Sequence, residues 1–181
     1  MISLSGFGYE DTLKNPSDLF AQTWQTKSFI NGPAVKNFEE TFAEYCGAEK
    51  CVAVSSCTSA LQLSLLALGI GPGDEVITVP YTWVSTVEVI KQVGATPVFV
   101  DISLNDMCID PEEVAKKVNK KTKAIIGVDL YGNVCDVDQL KRFGVPVIQD
   151  SAQSTGALYK GKRVGSIADL TCFSFYPTKN L

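Results

Sequence analysis

Four short segments carry residue types that can do chemistry, and each directly follows an apolar run. Ser55-Ser56-Cys57-Thr58-Ser59 follows Cys51–Val54 and precedes a long apolar stretch. Small hydroxyl residues at a helix start can bind an anion through free backbone N–H groups and the helix dipole; they can equally be ordinary N-caps. Pro80-Tyr81-Thr82-Trp83 follows Glu75–Val79, and an aromatic there either stacks on a planar ligand or fills core. Asp150-Ser151-Ala152-Gln153 closes Val145–Gln149. Its acid either caps a helix or fixes a cationic ring nitrogen. Phe173-Ser174-Phe175-Tyr176-Pro177-Thr178 leads to Lys179, either a solvated lysine or an amine nucleophile.

Each signal has a plain structural reading alone. Together they describe one site: an anion cradle, an aromatic plate, a carboxylate and an amine. Pyridoxal phosphate requires that set, because its phosphate needs N–H and hydroxyl donors and its ring needs a plate. Its pyridinium nitrogen needs a carboxylate and its aldehyde an amine.

The elements that must position these residues alternate along the chain. Cys51–Val54, Glu75–Val79, Pro97–Val100, Lys123–Val128 and Val145–Gln149 read as strands, with another at Asp169–Phe175 and a hairpin turn at Tyr159–Arg163. Helices fall at Val35–Tyr45, Ser59–Leu68, Thr82–Val93, a segment from Asp110 to about Val118, and Val137–Phe143. In Thr82–Val93 the apolar positions at helical spacing are Val84, Val87, Ile90 and Val93. Asp110-Pro111-Glu112-Glu113 is a helix start with an N-cap acid and a first-turn proline. Gly69-Ile70-Gly71-Pro72-Gly73 stops the preceding helix. Continuous apolar strands between helices predict an α/β fold: three αβα layers around a mainly parallel sheet, covered on both faces. In such sheets ligands bind beyond the carboxyl ends of the strands, where all four segments fall.

Composition narrows the chemistry. The chain has 181 residues, enough for a real core, and no histidine. Ser-His-Asp and Cys-His catalysis, histidine metal sites and imidazole acid–base work are therefore excluded, and no metal site is expected. The net charge of −4 argues against nucleic-acid binding by bulk charge. The six cysteines form no C-x-x-C pair and read as buried reduced thiols, which points to the cytoplasm. The N-terminus lacks the pattern of a signal peptide, and no apolar run has membrane-spanning length. Gly69-Ile70-Gly71-Pro72-Gly73-Asp74 follows a helix rather than a strand, so it is no dinucleotide fingerprint.

Several blocks then carry a resemblance: Phe29-Ile-Asn-Gly-Pro-Ala-Val, Val54-Ser-Ser-Cys-Thr-Ser-Ala-Leu, Leu68-Gly-Ile-Gly-Pro-Gly-Asp-Glu-Val-Ile, Asp129-Leu-Tyr-Gly, Asp150-Ser-Ala-Gln and Cys172-Phe-Ser-Phe-Tyr-Pro-Thr-Lys-Asn-Leu. The sequence resembles, from about Phe29 to Leu181, the N-terminal part of the DegT/DnrJ/EryC1/StrS sugar aminotransferases, enzymes of pyridoxal phosphate fold type I. The resemblance implies that Lys179 holds the cofactor covalently and shuttles protons. It implies Asp150 on the pyridinium nitrogen, Gln153 near the phenolic oxygen, and Trp83 stacked on the ring. Thr58, Ser59 and Ser174 would bind the phosphate, and Asn31-Gly32 would border the sugar site. Relatives that are sugar dehydratases carry histidine in place of the lysine, and Lys179 argues against that variant. Cys57 stands where relatives usually have glycine or alanine, and Asp129 where a histidine is common.

The reaction so implied moves an amino group from glutamate or glutamine to a keto sugar, nucleotide-linked, in a homodimer, with neither nucleic acid nor membrane as partner. Two alternatives stay open: a non-catalytic piece of such an enzyme, and a related sugar dehydratase or lyase. The expected organisation is an N-terminal segment, residues 1–45, with a helix near the substrate site, and part of the cofactor-binding large domain over 46–181. The small C-terminal domain of family enzymes is expected to be absent.

Overall fold

A computed structural model of the chain describes residues 16–179. The N-terminal stretch read above for a leader, and Asn180-Leu181, lie outside them.

Five parallel strands form the sheet: β1 (Glu75–Thr78), β2 (Thr96–Phe99), β3 (Thr122–Val128), β4 (Val147–Asp150) and β7 (Leu170–Cys172). Their spatial order is β2-β1-β3-β4-β7, and a two-stranded hairpin, β5 (Leu158–Tyr159) with β6 (Lys162–Arg163), stands apart. The chain steps outward from β1 to β2 and then returns to the other side of β1 with β3. That reversal is a topological switch point, and open α/β sheets bind ligands beyond the carboxyl ends of the strands at such points.

The helices are α1 (Pro16–Thr26), α2 (Pro33–Cys46), α3 (Cys57–Ala67), α4 (Ser85–Gln92), α5 (Pro111–Lys117) and α6 (Val137–Lys141). Successive strand residues face opposite sides, and here both sides are apolar. Val76, Ala124, Ile126 and Ile148 bury against Leu61 and Leu65 of α3 and Val89 and Ile90 of α4. Ile77, Ile125 and Val147 bury against Val114 of α5 and Val137 and Leu140 of α6. The three αβα layers expected from the sequence are thus present, with α3/α4 on one face and α5/α6 on the other. Gly127 on β3 is required by closeness: a Cβ there would stand 2.7 Å from Cys135 Sγ.

Local signals set several boundaries. Asp110 accepts a hydrogen bond from Glu112 N at 2.8 Å, with Pro111 at the first turn of α5. Gly69, at φ +70°, ends the α3 segment as expected. All six cysteines are free. No helix among the described residues is long and apolar enough to cross a membrane.

Three expectations need correction. Cys51–Val54 is irregular chain, not a strand, and Val52 is 74% exposed. A strand needs a neighbour for its backbone groups, and among the described residues this segment has none; Ala53 N donates instead to Glu39 Oε1 at 2.7 Å. The buried face of α4 is Thr86, Val89 and Ile90, while Val84 is 65% exposed. Of the expected stripe, Ile90 is buried and Val93 packs against the core, so the departure lies at Val84. Finally, α1 precedes the region where the sequence pointed only to Val35–Tyr45.

Candidate active site

The site grows from the carboxyl ends of β1, β3, β4 and β7. Asp150 is the last residue of β4 and points to the α3/α4 face, because Ile148 does and side chains alternate. Thr86 Oγ1 donates to its Oδ2 at 2.7 Å. On Oδ1 it receives Ala152 N at 3.3 Å and the Cys57 thiol at 3.7 Å. Burial pushes the Asp150 carboxyl above its ordinary range, opposed by the Thr86 hydroxyl, Ala152 N–H, the Cys57 thiol and the positive charge of Lys179. The same lysine acts on Cys57, whose thiol burial and Asp150 drive far up. Cys57 thus contacts Asp150, and the charge of Lys179 acts on both, although the three are far apart in sequence.

Lys179 arrives there by way of aromatic packing. Phe38 and Phe42 lie one turn apart on α2. Phe42 meets Phe173 edge-on at 5.1 Å and Phe175 at 5.3 Å, and Phe38 meets Phe175 at 5.4 Å. Such edge-to-face contacts add about 0.5–1.5 kcal/mol each beyond area burial. They hold the chain between β7 and Lys179 against α2. Lys179 N then closes a turn on Tyr176 O at 2.8 Å. Its Nζ makes no hydrogen bond or ion pair among the described residues.

The hydroxyl-rich segment Ser55–Ser59 forms the start of α3. Ser56 is the N-cap: its side chain accepts from Ser59 N at 3.1 Å. Ser55 Oγ and Ser56 Oγ stand 2.9 and 3.1 Å from Ser59 Oγ. Ala60 N closes the first helical bond on Ser56 O. The N–H groups of Cys57 and Thr58 precede that first bond and have no intrahelical partner. Ser56 is thus a cap, and the N–H groups of Cys57 and Thr58 stay outside the helical ladder. Thr58 Oγ1 donates to nothing among the described residues. Ser174 Oγ accepts from Tyr176 N at 3.4 Å, so its own proton is uncommitted.

Gln153 sits on the loop after β4. Its Oε1 accepts from Tyr131 N at 2.9 Å, which fixes the amide so that Nε2 faces away from Tyr131. Tyr131 has φ +59°, a left-handed conformation unfavourable for a side chain of its size. Its hydroxyl also meets Tyr81 OH at 2.8 Å. Trp83 is 76% exposed and touches no other aromatic ring among the described residues. Asn31 is exposed at φ +48°, and Gly32 is the N-cap of α2. A Cβ on Gly32 would stand 2.2 Å from Ser28 O, so only glycine fits there. The structure thus sets Asp150 against the α3 start under the charge of Lys179, ties Gln153 to Tyr131 on the following loop, and leaves Trp83 and Asn31 on the surface.

Thr86 and the Phe38/Phe42/Phe173/Phe175 cluster escaped the sequence reading. The signal for Thr86 was a hydroxyl on the buried stripe of α4, a position that apolar spacing does not count. For the phenylalanines it was an i, i+4 aromatic pair on one helix.

Comparison with known proteins closes the description. Residues 12–181 match the model of the DegT/DnrJ/EryC1/StrS aminotransferase family. The chain is 44% identical over 157 residues to the UDP-2-acetamido-2-deoxy-3-oxo-D-glucuronate aminotransferase of Pseudomonas aeruginosa, covering 84% of this chain and 44% of that protein. Its fold superimposes on DesV from S. venezuelae with a TM-score of 0.90 at 38% identity, covering 96% of this chain and 48% of that one. NtdA from Bacillus subtilis, solved with bound cofactor PMP, gives a TM-score of 0.84 at 33% identity, over 91% of this chain and 38% of its own. The chain spans less than half the length of the curated relatives it matches.

Proposed function

The chain belongs to the DegT/DnrJ/EryC1/StrS aminotransferase family, and from that premise we propose that it serves a pyridoxal-phosphate-dependent transfer of an amino group from glutamate or glutamine to a nucleotide-linked keto sugar. The observation that carries this reading is the buried carboxylate of Asp150, whose Oδ1 is only loosely occupied and on which the charge of Lys179 acts; the Lys179 amine makes no hydrogen bond or ion pair among the described residues.

The residues fit the cofactor. Asp150 offers a lone pair in a dry setting, where an unpaired carboxylate is costly and a cationic ring nitrogen would relieve it. Cys57 N, Thr58 N, Ser59 and Ser174 offer donors to a phosphate at a helix N-terminus, where the dipole favours negative charge. Gln153 Nε2 remains available for the phenolic oxygen. When bound, pyridoxal phosphate supplies the electron sink that makes a Cα proton of the amino donor removable.

The chain's own residues do the rest. Lys179 would hold the cofactor through its amine, and that amine would serve as the base that takes a proton from the donor's Cα. Asp150 would hold the ring nitrogen in its charged form. Trp83, exposed, would provide a stacking plate, and exposed Asn31 with buried Gly32 a border to the sugar site. We read residues 46–181 as part of the cofactor-binding domain and the N-terminal segment as substrate-facing. The active assembly is proposed as a cytoplasmic homodimer that takes small-molecule substrates. Relatives named for UDP- and dTDP-sugar transamination support a nucleotide sugar as substrate.

The test is spectroscopic. The protein with added pyridoxal phosphate should develop a visible band that borohydride fixes on Lys179, seen as a mass increment on that residue. Lys179→Ala should lack both. A band that survives Lys179→Ala would overturn the assignment. Glutamate together with a nucleotide keto sugar should then yield an amino sugar; a dehydrated product would favour a lyase.

A further inference from the structure

Thr86 is fully buried in the first turn of α4. A hydroxyl in that setting must spend its single proton on one acceptor. It spends it on Asp150 Oδ2 at 2.7 Å, the shortest contact that carboxylate makes. Thr82 Oγ1 lies 2.9 Å from Thr86 Oγ1. Because Thr86 is already donating, Thr82 is the donor of that bond, and the order Thr82 to Thr86 to Asp150 is fixed.

The two oxygens of Asp150 therefore differ. Oδ2 is held by a short hydroxyl bond from a β-branched, tightly packed side chain with few rotamers. Oδ1 has a long backbone contact at 3.3 Å and a weak thiol donor at 3.7 Å. A carboxylate rotates about Cβ–Cγ, and pinning one oxygen pins the other. Oδ1 is left as the oxygen with spare accepting capacity, on the side of Cys57 at the α3 start.

Resting on the proposed function, we infer that Thr86 is a positioning residue. Its hydroxyl locks Asp150 so that Oδ1, rather than Oδ2, is presented to the ring nitrogen of the cofactor. Thr86 touches neither substrate nor cofactor and acts only through Asp150.

The probes are pyridoxal phosphate and its 1-deaza analogue, which has carbon in place of the ring nitrogen. Binding is followed by absorbance titration of the apo-protein. The unmodified protein should prefer pyridoxal phosphate, because only it meets Asp150. Thr86→Val should reduce that preference by about tenfold or more, as expected for a lost hydrogen bond to a charged group. Affinity for the analogue should stay close to normal, and Thr86→Ser should restore the preference. Equal losses for both ligands in Thr86→Val would mean that Thr86 matters only for packing, and would overturn the inference. So would an unchanged preference, or a Thr86→Ser variant no better than valine. Should valine unfold the apo-protein, as judged from its thermal midpoint, Thr86→Ala reads the same ratio. If the unmodified protein binds pyridoxal phosphate without a borohydride-fixable bond to Lys179, the proposed function fails first, independently of any Thr86 variant.

Discussion

Two aspartates end neighbouring strands and meet opposite fates. Asp129 follows β3 and Asp150 closes β4, and Asp129 N donates to Asp150 O at 3.0 Å, so the two are backbone neighbours. Their side chains leave the sheet on opposite faces. Asp129, fully buried, receives Cys135 N at 3.0 Å and Gln149 Nε2 at 3.0 and 3.3 Å. Ser151 Oγ at 2.7 Å and Ser154 Oγ at 3.1 Å complete its set. Asp150 has one strong donor and two weak ones. Burial raises both carboxyls above their ordinary range. A closed donor set marks a structural knot that ties β3, β4, the start of α6 and the loop carrying Gln153. The open set of Asp150, under the charge of Lys179, is what the proposed ligand contact requires.

Breaking the knot should have the largest effect. Asp129→Ala would leave two amide donors and two hydroxyls without their shared acceptor in a dry interior. We expect a loss of about 3 kcal/mol or more in urea unfolding. A loss below about 1 kcal/mol would erase the contrast drawn here.

Ser56→Ala removes the α3 cap and should cost about 1 kcal/mol. It should also weaken inorganic phosphate or pyridoxal phosphate binding, because the α3 start is then less ordered. The paired readouts are the urea midpoint and the ligand titration; full retention of both would separate the cap from the cradle.

Asp150→Asn should change stability least, with a pH signature. The folded carboxyl titrates above its ordinary value of 3.8. Between those two values the native state holds a proton that the unfolded chain has released, so stability falls as pH rises. The contribution is complete below the ordinary value and is lost as pH climbs through the folded one. Asparagine cannot titrate, so the variant should gain relative to the unmodified protein as pH rises through that window. Urea midpoints from about pH 3 to about pH 8 check this. The slope from Asp129 is common to both proteins and cancels. A difference that runs the other way would mean that Asp150 is better satisfied than its contacts indicate.

Much of this was legible beforehand for identifiable reasons. The strand–helix alternation, the Asp110 cap, the Gly69 stop and the placing of chemistry after apolar runs all follow from local pattern. Lys179 and Asp150 stood out because the resemblance singled out their blocks. The face of α4 that is buried was not legible, because threonine on a helix is as common outside as inside. Nor was the status of Cys51–Val54, whose apolar composition reads as a strand while pairing depends on what lies beside it.

By itself the sequence determined the layers, the boundaries of most helices and the residue types available for catalysis. With no histidine, lysine and aspartate are the groups that the proposed cofactor would work with. Only the tertiary structure decided which of two similar aspartates is closed and which is open. Local sequence specifies that an acid ends a strand. The number of donors that reach it is set by residues from other elements: Thr86 on α4 and Cys57 on α3 for one, Gln149, Ser151, Ser154 and Cys135 for the other. Those donors are brought together by the burial of apolar faces on both sides of the sheet, a property of the whole fold.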